Sequence, residues 1–150
     1  MRRVRSSRST ASSASSGTRV RESITSRERA RASPSSTACV ALLICFDLRY
    51  PELFRAVARD VDAIILIANW PAPRRAHWDA LVTARAIENQ CYMIAVNRTG
   101  AADALEYDGG SVVIGPWGER IAMAEANGVA TATIDTDEVA RIRGSFPVLG

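Results

Sequence analysis

The fold is decided by the stretch Val40-Ala41-Leu42-Leu43-Ile44-Cys45-Phe46-Asp47-Leu48-Arg49-Tyr50-Pro51-Glu52. Its apolar beginning, residues 40–44, predicts a short buried strand, and Pro51-Glu52 predicts the start of a helix, because proline fits a first turn and a carboxylate suits its positive end. Cys45 lies between the two, where unpaired backbone N–H groups favour a thiolate and can hold an oxyanion. This position suits a nucleophile, although a cysteine that merely packs is the alternative interpretation.

The residues from Cys45 to Glu52 resemble the cysteine signature of the nitrilase, or carbon-nitrogen hydrolase, superfamily. Further motifs extend the resemblance downstream: Ala68-Asn69-Trp70-Pro71, Arg74, His77-Trp78 and Ala84-Arg85-Ala86-Ile87-Glu88-Asn89-Gln90. This combination is most similar to the omega-amidase branch, whose members hydrolyse amides of 2-oxo acids. The resemblance runs from about Val40 to the C-terminus and leaves out the first 36 residues.

Composition divides the chain into two parts at residue 37. Residues 1–36 hold nine arginines and twelve serines against two glutamates, whereas residues 37–150 hold ten arginines against fourteen acidic residues. A segment with so few aliphatic side chains cannot bury enough apolar surface to offset the entropy of ordering it. We therefore predict a disordered Arg/Ser-rich tail over 1–36 and a truncated hydrolase domain over 37–150.

Three explanations compete for the tail. An Arg- and Ser-rich, acid-poor N-terminus is typical of an organelle transit peptide. It is also compatible with an arm that neutralises nucleic-acid phosphates. The third explanation, which we favour, is that it is not native coding sequence but an upstream region or wrong frame, because it stands where the first half of the family domain is expected. Binding to nucleic acid is therefore not expected.

The cysteine count and the hydropathy point to a cytoplasmic protein. Three cysteines without a Cys-x-x-Cys pair indicate neither a disulfide framework nor a zinc site. No run approaches the roughly 20 apolar residues of a membrane span, and no apolar signal core precedes residue 37. We expect a soluble protein in a reducing compartment.

Beyond the cysteine, the apolar pattern predicts an alternating α/β order. We expect a helix from Pro51 to about Arg59, a strand covered on both faces over 63–68, a helix over 75–90 with nearly all of its circumference buried, and a strand over 91–97. A loop over 98–110 precedes two strands that flank the turn 115–118, and a strand over 129–134 precedes a helix from Asp135 to Gly144. The resemblance implies the C-terminal half of an α-β-β-α sandwich. One sheet without the other leaves apolar surface bare, so we expect a homo-oligomer or a complementing chain.

The resemblance also implies the chemistry: a Glu, a Lys and a Cys, with thiolate attack on a carboxamide, loss of ammonia and hydrolysis of a thioester. No metal or organic cofactor takes part. Only Cys45 carries over, because the Glu and Lys of the family lie upstream of the cysteine and this chain contains no lysine. Glu22 and Glu28 lie upstream, but their Arg-rich surroundings lack the apolar strand context of the family's Glu.

Four further residues are candidates for binding substrate. Arg49 lies where some relatives hold a substrate carboxylate, and its alternative is a structural salt bridge with Glu52 or Asp47. Arg74, with its neighbour Arg75, is placed to serve the same anion, or it is simply solvated. Asn69 and Trp70 follow a strand end, as pocket-lining residues do.

Two other polar residues have structural interpretations. The only histidine, His77, is predicted to be structural or to support the site, because His-Trp belongs to the start of the helix. Glu88 is predicted to form an ion pair within its helix.

The predicted function is therefore that of a carbon-nitrogen hydrolase of omega-amidase type, acting on a small amide or 2-oxo acid amide, and inactive alone because the Glu and Lys half is missing. The alternative is a non-enzymatic interaction protein, with a basic polyanion-binding tail on a scaffold half-domain. Salt-dependent binding of RNA by residues 1–36 would favour the alternative.

Overall fold

The fold is a mixed sheet with helices against it, and the predicted α/β class is confirmed. The structure is a computed structural model that describes residues 37–125 and 128–150. Its strands are β1 (Val40–Ile44), β2 (Ala63–Ala68), β3 (Tyr92–Asn97), β4 (Thr99–Ala102), β5 (Leu105–Asp108), β6 (Val112–Ile114) and β7 (Arg120–Met123). Its helices are α1 (Pro51–Val57), α2 (Arg75–Asn89) and α3 (Thr136–Ser145), and short 3-10 turns cover Cys45–Arg49, Ala58–Asp60 and Ala72–Arg74.

Five strands form the main sheet in the order β1-β2-β3-β6-β7. The first three run parallel and are joined by α1 and α2, whereas β6 and β7 run antiparallel and are joined by the predicted turn at 115–118. Parallel strands need a crossover, which the two helices supply. Strands β4 and β5 pair with each other as a separate antiparallel hairpin.

One face of the sheet carries the core. Alternate side chains of the strands point toward α1 and α2, where Leu43, Leu66 and Met93 are all buried. The helices contribute Phe54 and Trp78, which are fully buried. This side therefore packs as a continuous apolar layer.

The opposite face is covered at one end only. Side chains of neighbouring parallel strands line up in rows, and the first row is Val40, Ala63 and Tyr92. Val139 of α3 packs against this row, and the Tyr92 hydroxyl accepts from the backbone N–H of Asp135 at 3.3 Å. Helix α3 therefore caps the amino ends of the strands and leaves the rest of this face uncovered.

The next two rows make up what we call the bare face: Leu42, Ile65 and Ile94, then Ile44, Ile67 and Val96. Leu42 and Ile44 are each 63% exposed, Ile67 is 52% exposed and Val96 is 45% exposed. The predicted burial of β1, and of β2 on both faces, is therefore wrong. The prediction of bare apolar sheet surface is confirmed for the residues that the structure describes.

Helix α2 is less buried than predicted. Trp78, Val82 and Ala86 face the sheet, but Ala80 is exposed and Ile87 is 47% exposed. The helix lies on the outside of a single sheet, so one stripe of it meets solvent.

Two further predictions of secondary structure fail. The predicted loop over 98–110 contains the β4-β5 hairpin, whose turn residues Asp103 and Ala104 have φ angles of 50° and 60°. The predicted strand over 129–134 is absent: residues 128–134 have no regular secondary structure.

The last helix begins as predicted. The Asp135 side chain accepts from the backbone N–H groups of Asp137 and Glu138, and the helix ends at Ser145, one residue beyond the predicted Gly144. Within the described ranges, no helix is long and apolar enough to cross a membrane. The predicted disordered tail over 1–36 lies outside the described residues.

Candidate active site

The candidate site lies at the carboxyl ends of the three parallel strands. Cys45 directly follows β1, Trp70 is two residues beyond β2, and Asn97 is the last residue of β3. The register pairs Ile44 with Ile67 and Ala68 with Asn97, so the three strands end at one edge. Ligands of open α/β sheets bind at this edge.

The thiol lies at a sharp bend. Cys45 is part-exposed, has φ 45° and opens the 3-10 turn Cys45–Arg49, while α1 begins only at Pro51. The helix start at Pro51 is as predicted, but Cys45 opens a separate 3-10 turn, and it lies six residues before Pro51. A left-handed conformation costs a non-glycine residue about 1–3 kcal/mol, so the bend needs support from its surroundings.

Hydrogen bonds on both sides support the bend. The Asp47 side chain accepts from the Ile44 N–H at 2.9 Å, and the Asp47 carbonyl accepts from the Tyr50 N–H at 2.9 Å. From α2, Nη2 of Arg85 donates to the carbonyl of the fully buried Leu48 at 2.8 Å. These bonds tie the turn after Cys45 to the strand before it and to the helix behind it.

The Arg85 side chain is only 5% exposed, and two contacts hold its buried guanidinium in place. It forms an ion pair with Glu88 at 3.0 Å, and its Cζ lies 5.3 Å from the Phe54 ring centroid. The helix ion pair predicted for Glu88 is confirmed, and it leaves the carboxylate committed to Arg85.

Trp70 is fixed by a polar network. Its N–H donates to Oδ1 of Asn97 at 2.7 Å, and its carbonyl accepts from Nδ2 of Asn97 at 2.9 Å. The indole N–H donates to the Arg74 carbonyl at 2.8 Å, and the ring lies 5.9 Å from that of Trp78. A residue that is 3% exposed and bonded at each of these points presents a rigid surface.

Arg49 lies on that surface. Its Cζ is 4.8 Å from the centroid of the Trp70 ring, and its Nη2 is 3.1 Å from Nδ1 of His77. Within the described ranges, the predicted alternative, a salt bridge with Glu52 or Asp47, does not form. His77 lies beside Arg49, and its predicted structural or supporting role stays a prediction.

The remaining candidate binding residues differ in whether their side chains already have a partner within the chain. Asn69 and Arg74 are exposed at the same edge, and neither side chain forms a hydrogen bond or an ion pair with another described residue. Arg75 is committed elsewhere, to Asp79 at 3.0 Å and Asp108 at 3.1 Å. Burial lowers the pKa of Arg75, but the two carboxylates outweigh it and the net pKa is raised. Arg75 therefore braces α2 against the β4-β5 hairpin.

The three thiols have different surroundings. Cys39 and Cys45 are part-exposed, whereas Cys91 is fully buried. Burial raises the pKa of Cys91 to about 12, although Arg143 opposes the shift. In the part of the chain that the structure describes, no group of three or more His, Cys, Asp or Glu residues is arranged to hold a metal ion.

Sequence reasoning missed the supporting roles of Asn97 and Arg85. Asn97 is 4% exposed and also donates to the Gly109 carbonyl at 2.7 Å, which links the β2 and β3 ends to the loop before β6. A polar amide at the end of an otherwise apolar strand was the feature of the sequence that could have indicated the role of Asn97. Arg85 stood among alanines on a helix predicted to be buried, which indicated a paired internal cation.

Comparison with known proteins identifies the family to which this chain is similar. The family described as "Carbon-nitrogen hydrolase" matches residues 8–144, a range that begins within the segment we left outside the resemblance. The 2-oxoglutaramate amidase of Bacillus subtilis (strain 168) is 43% identical over 108 residues, which cover 71% of this chain and 42% of that protein. The omega-amidase YafV of Escherichia coli (strain K12) is 51% identical over 86 residues, covering 57% of this chain and 33% of that protein.

A solved structure agrees with the fold. XC1258 from Xanthomonas campestris, a CN-hydrolase superfamily protein, aligns with a TM-score of 0.69 and 34% identity, covering 82% of this chain and 49% of that one. The predicted resemblance to omega-amidases is thus confirmed. The chain spans less than half the length of each of these relatives.

Proposed function

Because the chain belongs to the carbon-nitrogen hydrolase family, we propose that it supplies the nucleophile portion of an amidase of omega-amidase type. The observation that carries this proposal is the position of Cys45, part-exposed at a braced bend on the carboxyl edge of a parallel sheet. In the proposed reaction the thiolate attacks the carboxamide carbon, ammonia leaves, and a thioester remains on Cys45. Water then hydrolyses the thioester and releases the acid.

The proposed substrate is a small amide with a carboxylate at its other end. Arg49 supports this choice because it is a cation at the same edge as Cys45 and is not neutralised by a described carboxylate. An arginine binds a carboxylate through two parallel hydrogen bonds, which would orient the amide toward the thiol. The Bacillus subtilis relative is named for 2-oxoglutaramate, a compound of this class.

We propose that the chain alone does not turn over such a substrate. Acyl transfer needs a general base and an oxyanion site besides the nucleophile, and the resemblance assigns these to a Glu and a Lys upstream of the cysteine. This chain contains no lysine, and Glu22 and Glu28 lie outside the described residues. Removing a base typically costs about 10²–10⁴-fold in rate, and removing an oxyanion donor about 10²–10³-fold.

The proposed partner is a polypeptide carrying the portion of the family domain that the relatives have and this chain does not match. It would cover the bare face as the second sheet of the sandwich. Four side chains of that face, Leu42, Ile44, Ile67 and Val96, are 45–63% exposed. Since full burial of such a side chain contributes about 1.5–3 kcal/mol, covering them would contribute about 1 kcal/mol each. A second copy of this chain would cover the face too, but it would bring no lysine.

The test is reconstitution with a known relative. The chain is mixed with the separately produced portion of the Bacillus subtilis amidase that it does not match, and ammonia release from 2-oxoglutaramate is followed. We expect release only from the mixture, its loss in Cys45→Ala, and its retention in the matched control Cys39→Ala. Turnover by the chain alone that disappears in Cys45→Ala would contradict the need for a partner. Turnover by the mixture that survives Cys45→Ala would contradict the nucleophile.

A pair of surface variants tests the place of contact. Ile67→Lys puts a charge in the middle of the bare face, whereas Ile87→Lys puts one at a similarly exposed position, 47% against 52%, on α2. We expect the first to prevent association in sedimentation experiments and the second to leave it unchanged. Association that resists Ile67→Lys would show that another surface is used, and dimers of the chain alone that dissociate in Ile67→Lys would identify a second copy as the occupant.

A further inference from the structure

The cation of Arg49 is held without being neutralised. Its two contacts are the Trp70 ring, 4.8 Å from Cζ, and Nδ1 of His77, 3.1 Å from Nη2. Neither partner carries a negative charge. By contrast, Arg75, Arg85 and Arg141 each form an ion pair with an aspartate or glutamate. Within the described ranges, Arg49 is therefore fixed in place while its charge remains available.

The contact with His77 determines which imidazole nitrogen carries the proton. A guanidinium has donors only, so Nδ1 of His77 must offer a lone pair, and the proton of the neutral ring is on Nε2. His77 is held by α2, which begins two residues earlier at Arg75. The imidazole is thus an acceptor that reaches Arg49 from a rigid element.

The guanidinium is restrained in two independent directions. Stacking on Trp70 fixes the height of the group above the ring, and Trp70 is itself fixed by Asn97 and by the Arg74 carbonyl. The bond from Nη2 to His77 then fixes rotation of the group in its own plane. Among the described residues, no acceptor occupies Nε or Nη1, so these donors remain free for a ligand.

We infer that His77 is a positioning residue, which orients Arg49 to receive the carboxylate of the substrate. This inference rests on the proposed function, since it assigns Arg49 to substrate. His77 does not touch the reacting amide in this arrangement. Its contribution is to hold the free guanidinium donors in place before the ligand arrives, which reduces the ordering cost of binding.

The experiment measures binding rather than turnover, on the full chain. Glutarate is the probe, because it carries the carboxylate and no amide, and neutral glutaramide is the control ligand. Chemical shifts of the tryptophan indole N–H groups report binding in every variant, since Trp70 lies under the guanidinium. The variants are His77→Leu, which removes the acceptor, His77→Asn, whose side-chain oxygen restores one, and Arg49→Met, which removes the cation.

We expect glutarate to bind the wild type and glutaramide not to bind. His77→Leu should weaken binding about fivefold, the usual worth of one hydrogen bond, His77→Asn should stay within about twofold of the wild type, and Arg49→Met should lose binding. The urea midpoints of both His77 variants should match, because His77 is exposed. A merely structural histidine would change these midpoints without the selective restoration of affinity by asparagine.

Three results would overturn the inference: no saturable glutarate binding by the wild type, wild-type affinity in His77→Leu, or equal weakening in His77→Leu and His77→Asn. None of them depends on hydrolysis. If the binding pattern holds while the reconstituted mixture releases no ammonia, the proposed function fails and the positioning role stands. If ammonia is released while the binding pattern fails, only the inference about His77 is lost.

Discussion

Replacing Asn97 with alanine should cost more stability than other single changes near the site. The Asn97 side chain is 4% exposed, accepts from the Trp70 N–H at 2.7 Å, and donates to the carbonyls of Trp70 and Gly109 at 2.9 and 2.7 Å. Alanine leaves these three backbone groups without their partner. Each buried group left unsatisfied costs about 1–3 kcal/mol, so we expect the free energy of unfolding to fall by about 3–5 kcal/mol after partial relaxation.

Urea denaturation followed by circular dichroism measures this loss. Asn69→Ala is the matched control, because Asn69 directly follows the neighbouring strand β2 but is exposed. We expect the control to stay within about 0.5 kcal/mol of the wild type. A loss below about 1 kcal/mol in Asn97→Ala, with an unchanged dependence on urea, would show that water replaces the amide. The network around Trp70 would then not be what fixes the edge of the sheet.

Three further changes have expected outcomes. Limited iodoacetamide labelling, mapped by mass spectrometry, should modify Cys45 ahead of Cys91, because Cys91 is fully buried and burial raises its pKa to about 12; faster labelling of Cys91 would contradict the described packing. In the unfolded chain the Cys91 thiol loses its proton near pH 8.5, whereas in the folded chain it keeps the proton up to about pH 12. The folded state therefore binds more protons between these two pH values. The free energy of unfolding should accordingly fall between about pH 9 and 12, by at most about 1.4 kcal/mol per pH unit. Urea titrations of Cys91→Ala should lack this part of the slope, and an identical slope would disprove the assignment. Asp135→Ala removes the acceptor for two N–H groups of α3 and should lower the free energy of unfolding by about 1 kcal/mol, whereas the exposed Asp137→Ala should change it less.

The elements predicted well are those whose signal is local. Residues 40–44 and 63–68 form strands with the predicted bounds, because a continuous apolar run between turn residues is decided within the run itself. Pro51 begins α1 and Asp135 caps α3, since both act through the adjacent backbone. The turn 115–118 joins β6 to β7 for the same reason.

The failures depend on contacts that the local pattern does not contain. The β4-β5 hairpin turns at Asp103 and Ala104, both with positive φ, whereas the common signal for such a turn is Asn-Gly or Asp-Gly. Residues 129–134 are apolar enough for a strand, but the structure gives them no pairing partner among the described residues. Burial of α2 was overestimated because it depends on what lies outside the helix.

Sequence and structure place several candidate residues of the site at the same edge of the sheet, but the contacts that hold them there were not predicted. The strand-to-helix position indicated Cys45, the family resemblance indicated Arg49, and the end of a neighbouring parallel strand places Trp70 under Arg49. The braces were not foreseen, because Arg85 reaches the turn across 37 residues and Asn97 reaches Trp70 across 27. Such distances in sequence are closed only by the packing of α2 and β3. The sequence therefore indicated the candidate nucleophile and binding residues, but not the side chains that hold them in place.

The bare face ends at the edge of the sheet where Cys45 lies. The row Ile44, Ile67 and Val96 ends the bare face at the carboxyl edge, and Cys45 is the next residue after Ile44. A layer that covers this row therefore lies next to the residue that carries the thiol. The burial that favours its binding would, in the same step, bring its side chains to the place where a base and an oxyanion donor are needed. Association and activity should then be lost together in Ile67→Lys, whereas Cys45→Ala should lose activity and keep association.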